Sequence, residues 1–390
     1  MSDQIYDTLS QLAADSGPAA AIDKLIESLR ESKNYHKLFD ALLMKKKFEW
    51  GLSVTRPTTF DEVPDEKRPE FEEYYVECAR EVGNLLIEEG EFAQAWVYFR
   101  TIQESEPIRT ALEGLGPEAL NTPNYDELLN MALYEGAHPL LGIRWLLESH
   151  GTCNTITSLD QMMGQLQPAE RREAAAVMVD HLYDELQTSL VYNIKQTEPE
   201  LDENQSIREL IAGRDWLFEN GNYHIDVSHL NAVVRFARFL EDGDSQLPKA
   251  IELAEYGSKL DKQLQYGGDP PFSDFYPAHM HYLNVLANQN VDEAFDYFQK
   301  ELDNEPDAPD KQLIAYVMVD LLMRIGRLDQ AVEIAKDYLA DVEDPNSFSF
   351  ADLCRKAGKA DVLQEAARQH DDPLRFVFGL VSGSSNAAPA

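Results

Sequence analysis

The sequence predicts an all-α chain, a solenoid of antiparallel helical hairpins that turns irregular in the middle, on three observations. Apolar residues recur at spacings of three and four through most of the 390 positions, the stripe of an amphipathic helix. The strict alternation of a half-buried strand is scarce, and Gly, Asn and Pro clusters cut the stripes into segments of helical length. A pattern of small and large side chains also repeats along the chain. A length that would allow two or three ordinary domains is therefore compatible with one continuous stack of hairpins.

Taken in order, residues 1–50 form an N-terminal hairpin. Ile22, Leu25, Ile26 and Leu29 stripe a helix over 19–32 after Gly17-Pro18, a turn falls at Lys33-Asn34, and Leu38, Phe39, Leu42 and Leu43 stripe a second helix over 35–50. Residues 51–69 hold Pro57, Pro64 and Pro69 without periodicity and read as a loop crossing the helical body. Residues 70–222 read as further hairpins, including one clear repeat over 76–109. Interruptions are expected at 114–124, at the turn-prone Gly151-Thr152-Cys153-Asn154-Thr155 and at the acidic stretch 198–204, with a long helix starting at Pro168 between the last two. The C-terminal repeats span 223–345 and a helical cap follows over 346–381. The Ser-, Ala- and Gly-rich tail 382–390 is expected to be disordered.

Within 76–109, Ala79, Gly83, Leu86, Gly90, Phe92, Ala95, Phe99 and Pro107 alternate small and large positions. Ala278, Val285, Val291, Ala294, Phe298 and Pro306 repeat that order, as do Ala315, Leu322, Gly326, Leu328, Ala331 and Ala335. Gly90 and Gly326 supply a positive φ at the end of a first helix, Ala95, Ala294 and Ala331 let the second helix approach closely, and Pro107 and Pro306 stop it. This order resembles the tetratricopeptide repeat, a helical hairpin of about 34 residues. Leu240, Leu247, Ala250 and Ala254 look like a stretched copy, and residues 22–50 like a degenerate one with Leu38 in the small place.

The resemblance implies a non-catalytic scaffold or adaptor that holds a protein or peptide segment in a concave groove lined by the first helix of each hairpin. Projected onto this sequence, the lining is Arg80, Asn84 and Glu88, then Tyr276, His279 and Leu283, then Tyr316, Asp320 and Arg324. Arg80 and Arg324 suit a carboxylate through forked hydrogen bonds, and they equally suit neighbouring acids of the chain itself. The full Lys and Asn set of a chaperone-tail clamp does not recur. Lys45-Lys46-Lys47, the one basic run, complements a helix C-terminus.

With 70 acidic and 34 basic side chains the net charge is −36, which argues against direct nucleic-acid partners and against an anionic membrane surface. No apolar run reaches membrane-spanning length, no secretory leader is visible at the first residues, and Cys78, Cys153 and Cys354 are too few and too scattered for a disulfide framework. A cytoplasmic protein without a cofactor is the expectation. The competing chemistry is a divalent-metal regulator or enzyme using Asp226, His229 and His279, with His224 and His281 nearby. Against it, His279 and His281 diverge on a helix, Asp226 suits an N-cap, and no HExxH occurs. No GxGxxG, GxxxxGK[ST] or GxSxG is present either, and His138 and His150, at the two ends of a helix of about 16 Å, cannot both serve Cys153 as a nucleophile. Self-association through the apolar segment 376–381 is a further expectation.

Overall fold

The computed structural model describes residues 3–116, 122–344 and 348–385. These are mainly helical, with one short two-stranded ladder and an isolated bridge between Gly267 and Asp274, and many consecutive helices pack against each other. The chain divides into two compact units, Met1–Thr155 and Ile156–Ala390.

The first unit opens with a helix the sequence reading missed, α1 (Asp3–Ser16), followed by α2 (Pro18–Glu31) and α3 (Tyr35–Glu49). Pro18 falls in the first turn of α2, where its missing N–H costs nothing. The segment after α3 is the expected strap. It is shorter than expected, because a 3₁₀ turn over Asp65–Lys67 leads into α4 (Arg68–Glu88) with Pro69 in its first turn. The strap is tied down by Lys47, whose fully buried ammonium donates to the carbonyls of Arg56 (2.6 Å) and Thr59 (2.7 Å) and lies over the Phe71 ring. Lys47, in the last turn of α3 as expected, is thus also an anchor for the strap. Its neighbours in the basic run are surface ion pairs, Lys45 with Asp23 and Lys46 with Glu70.

Helix α4 and α5 (Phe92–Thr101) form the hairpin read from the sequence. Gly90 takes φ +80° at the turn, and Ala95 and Phe99 are completely buried. The two helices meet where Gly83 has no side chain: a Cβ there would sit 2.7 Å from the Phe99 ring. Pro107 does not stop α5. It lies in the first turn of α6 (Glu106–Glu113), and α5 ends earlier, at Thr101. After α7 (Tyr125–Leu129) one π-helical turn, Asn130–Tyr134, precedes α8 (Pro139–Met162). The stretch 151–155, expected as a turn, is helical within α8 except for Gly151. Of the expected break at 114–124, residues 117–121 lie outside the described residues.

In the second unit α9 (Pro168–Ile194) is the expected long helix, closed at its start by a capping box between Gln167 and Glu170. It buries Leu182, Leu186 and Leu190 against α10 (Ile207–Ile211), α11 (Val227–Phe236) and α12 (Leu247–Lys259). Each such leucine contributes roughly 1.5–3 kcal/mol by leaving water. Helix α12 packs on α13 (Phe275–Leu286), α13 on α14 (Val291–Asn304), and α15 (Ala308–Arg324) on α16 (Leu328–Tyr338). Ala294, Ala331 and Ala335 are fully buried at these seams and Gly326 has φ +74°, as the repeat pattern requires. A ladder pairs β1 (Glu343–Asp344) with β2 (Phe348–Ser349) before α17 (Phe350–Ala357), α18 (Ala360–Gln369) and α19 (Pro373–Ser385). Residues 382–385, expected in a disordered tail, complete α19, and 386–390 lie outside the described residues.

Candidate functional site

Two stretches of the second unit bring charge to one half-buried edge. The first is α15, where Tyr316, Asp320 and Arg324 stand four residues apart and so share a stripe, each partly open to solvent. The second is the end of α11 with the 3₁₀ turn Ala237–Phe239 that follows, which carries Arg235 and Arg238. Helix α13 packs beside this turn and beside α15.

At this edge the Arg324 Nε forms an ion pair with Asp320 at 2.9 Å and its Nη1 donates to the Arg238 carbonyl at 3.0 Å. The same Asp320 carboxylate accepts from the Tyr282 hydroxyl at 3.3 Å. Arg238 lies over the Phe272 ring, 4.8 Å from its centroid, and its Nε donates to the Arg235 carbonyl. Arg235 is paired with Asp160 at 2.7 Å. Among the described residues no carboxylate pairs with Arg238. Burial, and after it the guanidiniums of Arg235 and Arg324, pull the pKa of Arg238 below the ordinary arginine value, with Tyr282 and Asp320 opposing them. The edge is cationic in a chain of net charge −36.

The remaining expected groove residues fall elsewhere. Arg80, Asn84 and Glu88 are exposed on α4 in the first unit, and Arg80 is already engaged by Glu104 through two hydrogen bonds, 2.8 and 2.6 Å. Neutralisation by a neighbouring acid, the competing use read from the sequence, is thus the one this structure shows for Arg80. Tyr276, His279 and Leu283 cannot line an open groove, because each is 1% exposed or less. They lie on the face of α13 turned to the core, where the Tyr276 ring occupies the space left by Gly257: a Cβ there would be 2.3 Å from it. Tyr282, one position before Leu283, is what α13 contributes to the cationic edge.

The metal alternative loses its geometry as well. Asp226 caps α11, accepting from the Ser228 N–H (2.8 Å), the Ser228 hydroxyl (2.5 Å) and the His229 N–H (3.3 Å), and the serine hydroxyl foremost holds its carboxyl below the usual range. His279 donates from Nδ1 to the Phe275 carbonyl at 2.7 Å, and its ring stacks on Phe272 and lies tilted against Phe275, each 4.2 Å away. Burial above all drives its pKa down to about 3. His224 is held at Nδ1 by the Tyr256 hydroxyl and His281 stacks on Tyr297. Among the described residues no three His, Cys, Asp or Glu side chains converge on a point that would hold a metal.

Other features carry less chemistry. Cys78 and Cys354 are buried and their thiols pushed up to about 12 by burial, which suppresses thiolate; Cys153 is exposed. His138 pairs with Glu113 and His150 with Ser149. A cavity of about 290 Å³ among α1, α2, α3 and the strap has mainly apolar walls, with Lys37 and Asp40 as its charged members. On α19, Leu374, Val377, Phe378 and Val381 face outward, opposite the glycine face packed on α18. No helix of the described residues is long and apolar enough to cross a membrane. No protein-family model matches the chain, and no curated protein and no solved structure matches it.

Arg238, Phe272 and Tyr282 were not found by sequence reasoning. The available signal was Arg235-Phe236-Ala237-Arg238-Phe239, two arginines three apart on one helical face of an acidic chain.

Proposed function

We propose that the chain is a non-catalytic interaction scaffold whose C-terminal hairpins are repeats of tetratricopeptide type, and that it binds a protein segment along the outer stripe of α15. The observation that supports this reading is the stripe itself. Tyr316, Asp320 and Arg324 sit on the first helix of the α15–α16 hairpin and stay partly exposed, while the helix's other face is in the core. An aromatic ring and two opposite charges at one-turn spacing match what an extended or helical peptide needs: an apolar contact and paired polar ones. Packed helix pairs give such a stripe a rigid backing.

The test is affinity capture with the intact protein and two charge reversals, Arg324→Glu and Arg80→Glu. Loss of a defined set of co-purifying proteins is expected for Arg324→Glu at unchanged circular dichroism. A much smaller effect is expected for Arg80→Glu, because Arg80 is on α4 and not on the α15 stripe. Equal capture by wild type and both variants would rule out the α15 stripe as the binding surface.

A further inference from the structure

We infer that the edge formed by Arg238 and Arg324 is a binding site for one carboxylate of a protein or peptide ligand. The inference rests on the scaffold reading for the carrier of that carboxylate and on the geometry of the edge for the rest.

Five N–H groups of a guanidinium seek acceptors, from the protein, from water or from a ligand. Of the Arg238 donors only Nε has a protein acceptor among the described residues, the Arg235 carbonyl. Its Nη1 and Nη2 have none, and neither has Nη2 of Arg324. These free donors are on neighbouring residues, because Arg324 is bonded to the Arg238 backbone itself. Both side chains are also held in place before any ligand arrives. Arg238 is stacked on Phe272, and Arg324 is clamped by Asp320, which the Tyr282 hydroxyl orients in turn. Preorganised donors lose little entropy on binding an anion.

Charge selects the anion. Arg235 is neutralised by Asp160 and Arg324 by Asp320, which leaves Arg238 as the guanidinium of the three without a carboxylate. Glu241, the next acid acting on Arg324, is held by Arg172. One unbalanced positive charge is met by one negative charge. A planar carboxylate accepts from two forked guanidiniums and restores neutrality, whereas a phosphate dianion would add repulsion within a protein of net charge −36. The overall repulsion explains why such a site would take a single carboxylate in a mainly uncharged or basic segment rather than an acidic run.

The experiment titrates the full chain, ¹⁵N-labelled, with sodium acetate at constant ionic strength and follows the arginine Nε–H resonances, with inorganic phosphate as a second arm. Arg238 and Arg324 are expected to shift together on one saturable curve that phosphate does not improve upon, while Arg80 stays still. Arg324→Gln should weaken acetate by about tenfold, the loss of a charge-assisted hydrogen bond. Arg238→Lys, which keeps the charge and the fold but not the fork, should weaken it too. Linear shifts shared by Arg80, or tighter binding of phosphate, would overturn the assignment. Saturable acetate binding together with failed protein capture would instead overturn the scaffold and leave the carboxylate site standing. Capture that survives without acetate binding does the reverse.

Discussion

At the scale of single residues, burial decides what each charged or titratable group can do. His279 reads in the sequence as a groove or metal residue, yet its ring is enclosed between Phe272 and Phe275 with Nδ1 spent on a carbonyl. Its folded pKa of about 3 lies below the ordinary value of 6.5, so the unfolded chain takes up the proton first as the pH falls. Stability is therefore full above about pH 6.5 and declines toward pH 3, by at most about 1.4 kcal/mol per unit from this group. His279→Phe should remove that share: between about pH 7.5 and pH 5 the variant should lose about 2 kcal/mol less than wild type in denaturant titrations. An equal loss in both proteins would mean that the imidazole does not titrate in this window. Lys47 is the opposite case, a buried cation used as a tie. Lys47→Ala strands the Arg56 and Thr59 carbonyls and should cost roughly 2–4 kcal/mol, with faster amide exchange confined to the strap.

At the scale of elements, the hairpins depend on missing side chains. Gly83→Ala pushes a methyl to 2.7 Å from the Phe99 ring and should destabilise by about 1–3 kcal/mol. Gly257→Ala meets Tyr276 at 2.3 Å, against a ring that is itself fully buried, and should cost more. If thermal unfolding ranked the two variants the other way, the seam between α12 and α13 would be looser than these distances require. The legibility of elements follows the same physics. The α4–α5 and α15–α16 hairpins could be read because Gly90, Ala95, Gly326 and Ala331 each have a local backbone or packing reason. Helix α1 carries the same kind of stripe, Ile5, Leu9 and Leu12 at spacings of four and three, in a segment where polar residues outnumber apolar ones. Pro107 misled because proline stops one helix and opens another equally well, and only the end of α5 at Thr101 tells which.

At the scale of the whole molecule, charge is the dominant sequence property. Seventy acids against 34 bases repel one another in the folded state, and many surface pairs such as Arg80–Glu104 and Lys336–Glu365 offset only part of it. Exposed pairs of this kind are each worth about 1 kcal/mol or less. Screening the net repulsion should therefore outweigh screening the pairs, and Tm should rise by a few degrees between about 20 and 200 mM sodium chloride. A falling Tm over that range would show that specific ion pairs hold the fold.

The sequence by itself determined the helical class, the order of most helices, the close-packed seams and the acidic surface, because each of these depends on spacing or composition that neighbours in the chain record. The tertiary structure alone decided which face of α13 is inside. A one-residue difference there, Tyr282 against Leu283, is a rotation of about 100° on a helix; both side chains are buried, and the rotation lets only the Tyr282 hydroxyl reach the Asp320 carboxylate. It alone also brought Arg238 beside Arg324, 86 positions apart, and gave Asp226 a place as helix cap and His279 a place in the core. Contacts across such separations are set by how helices stack, and no local pattern encodes them.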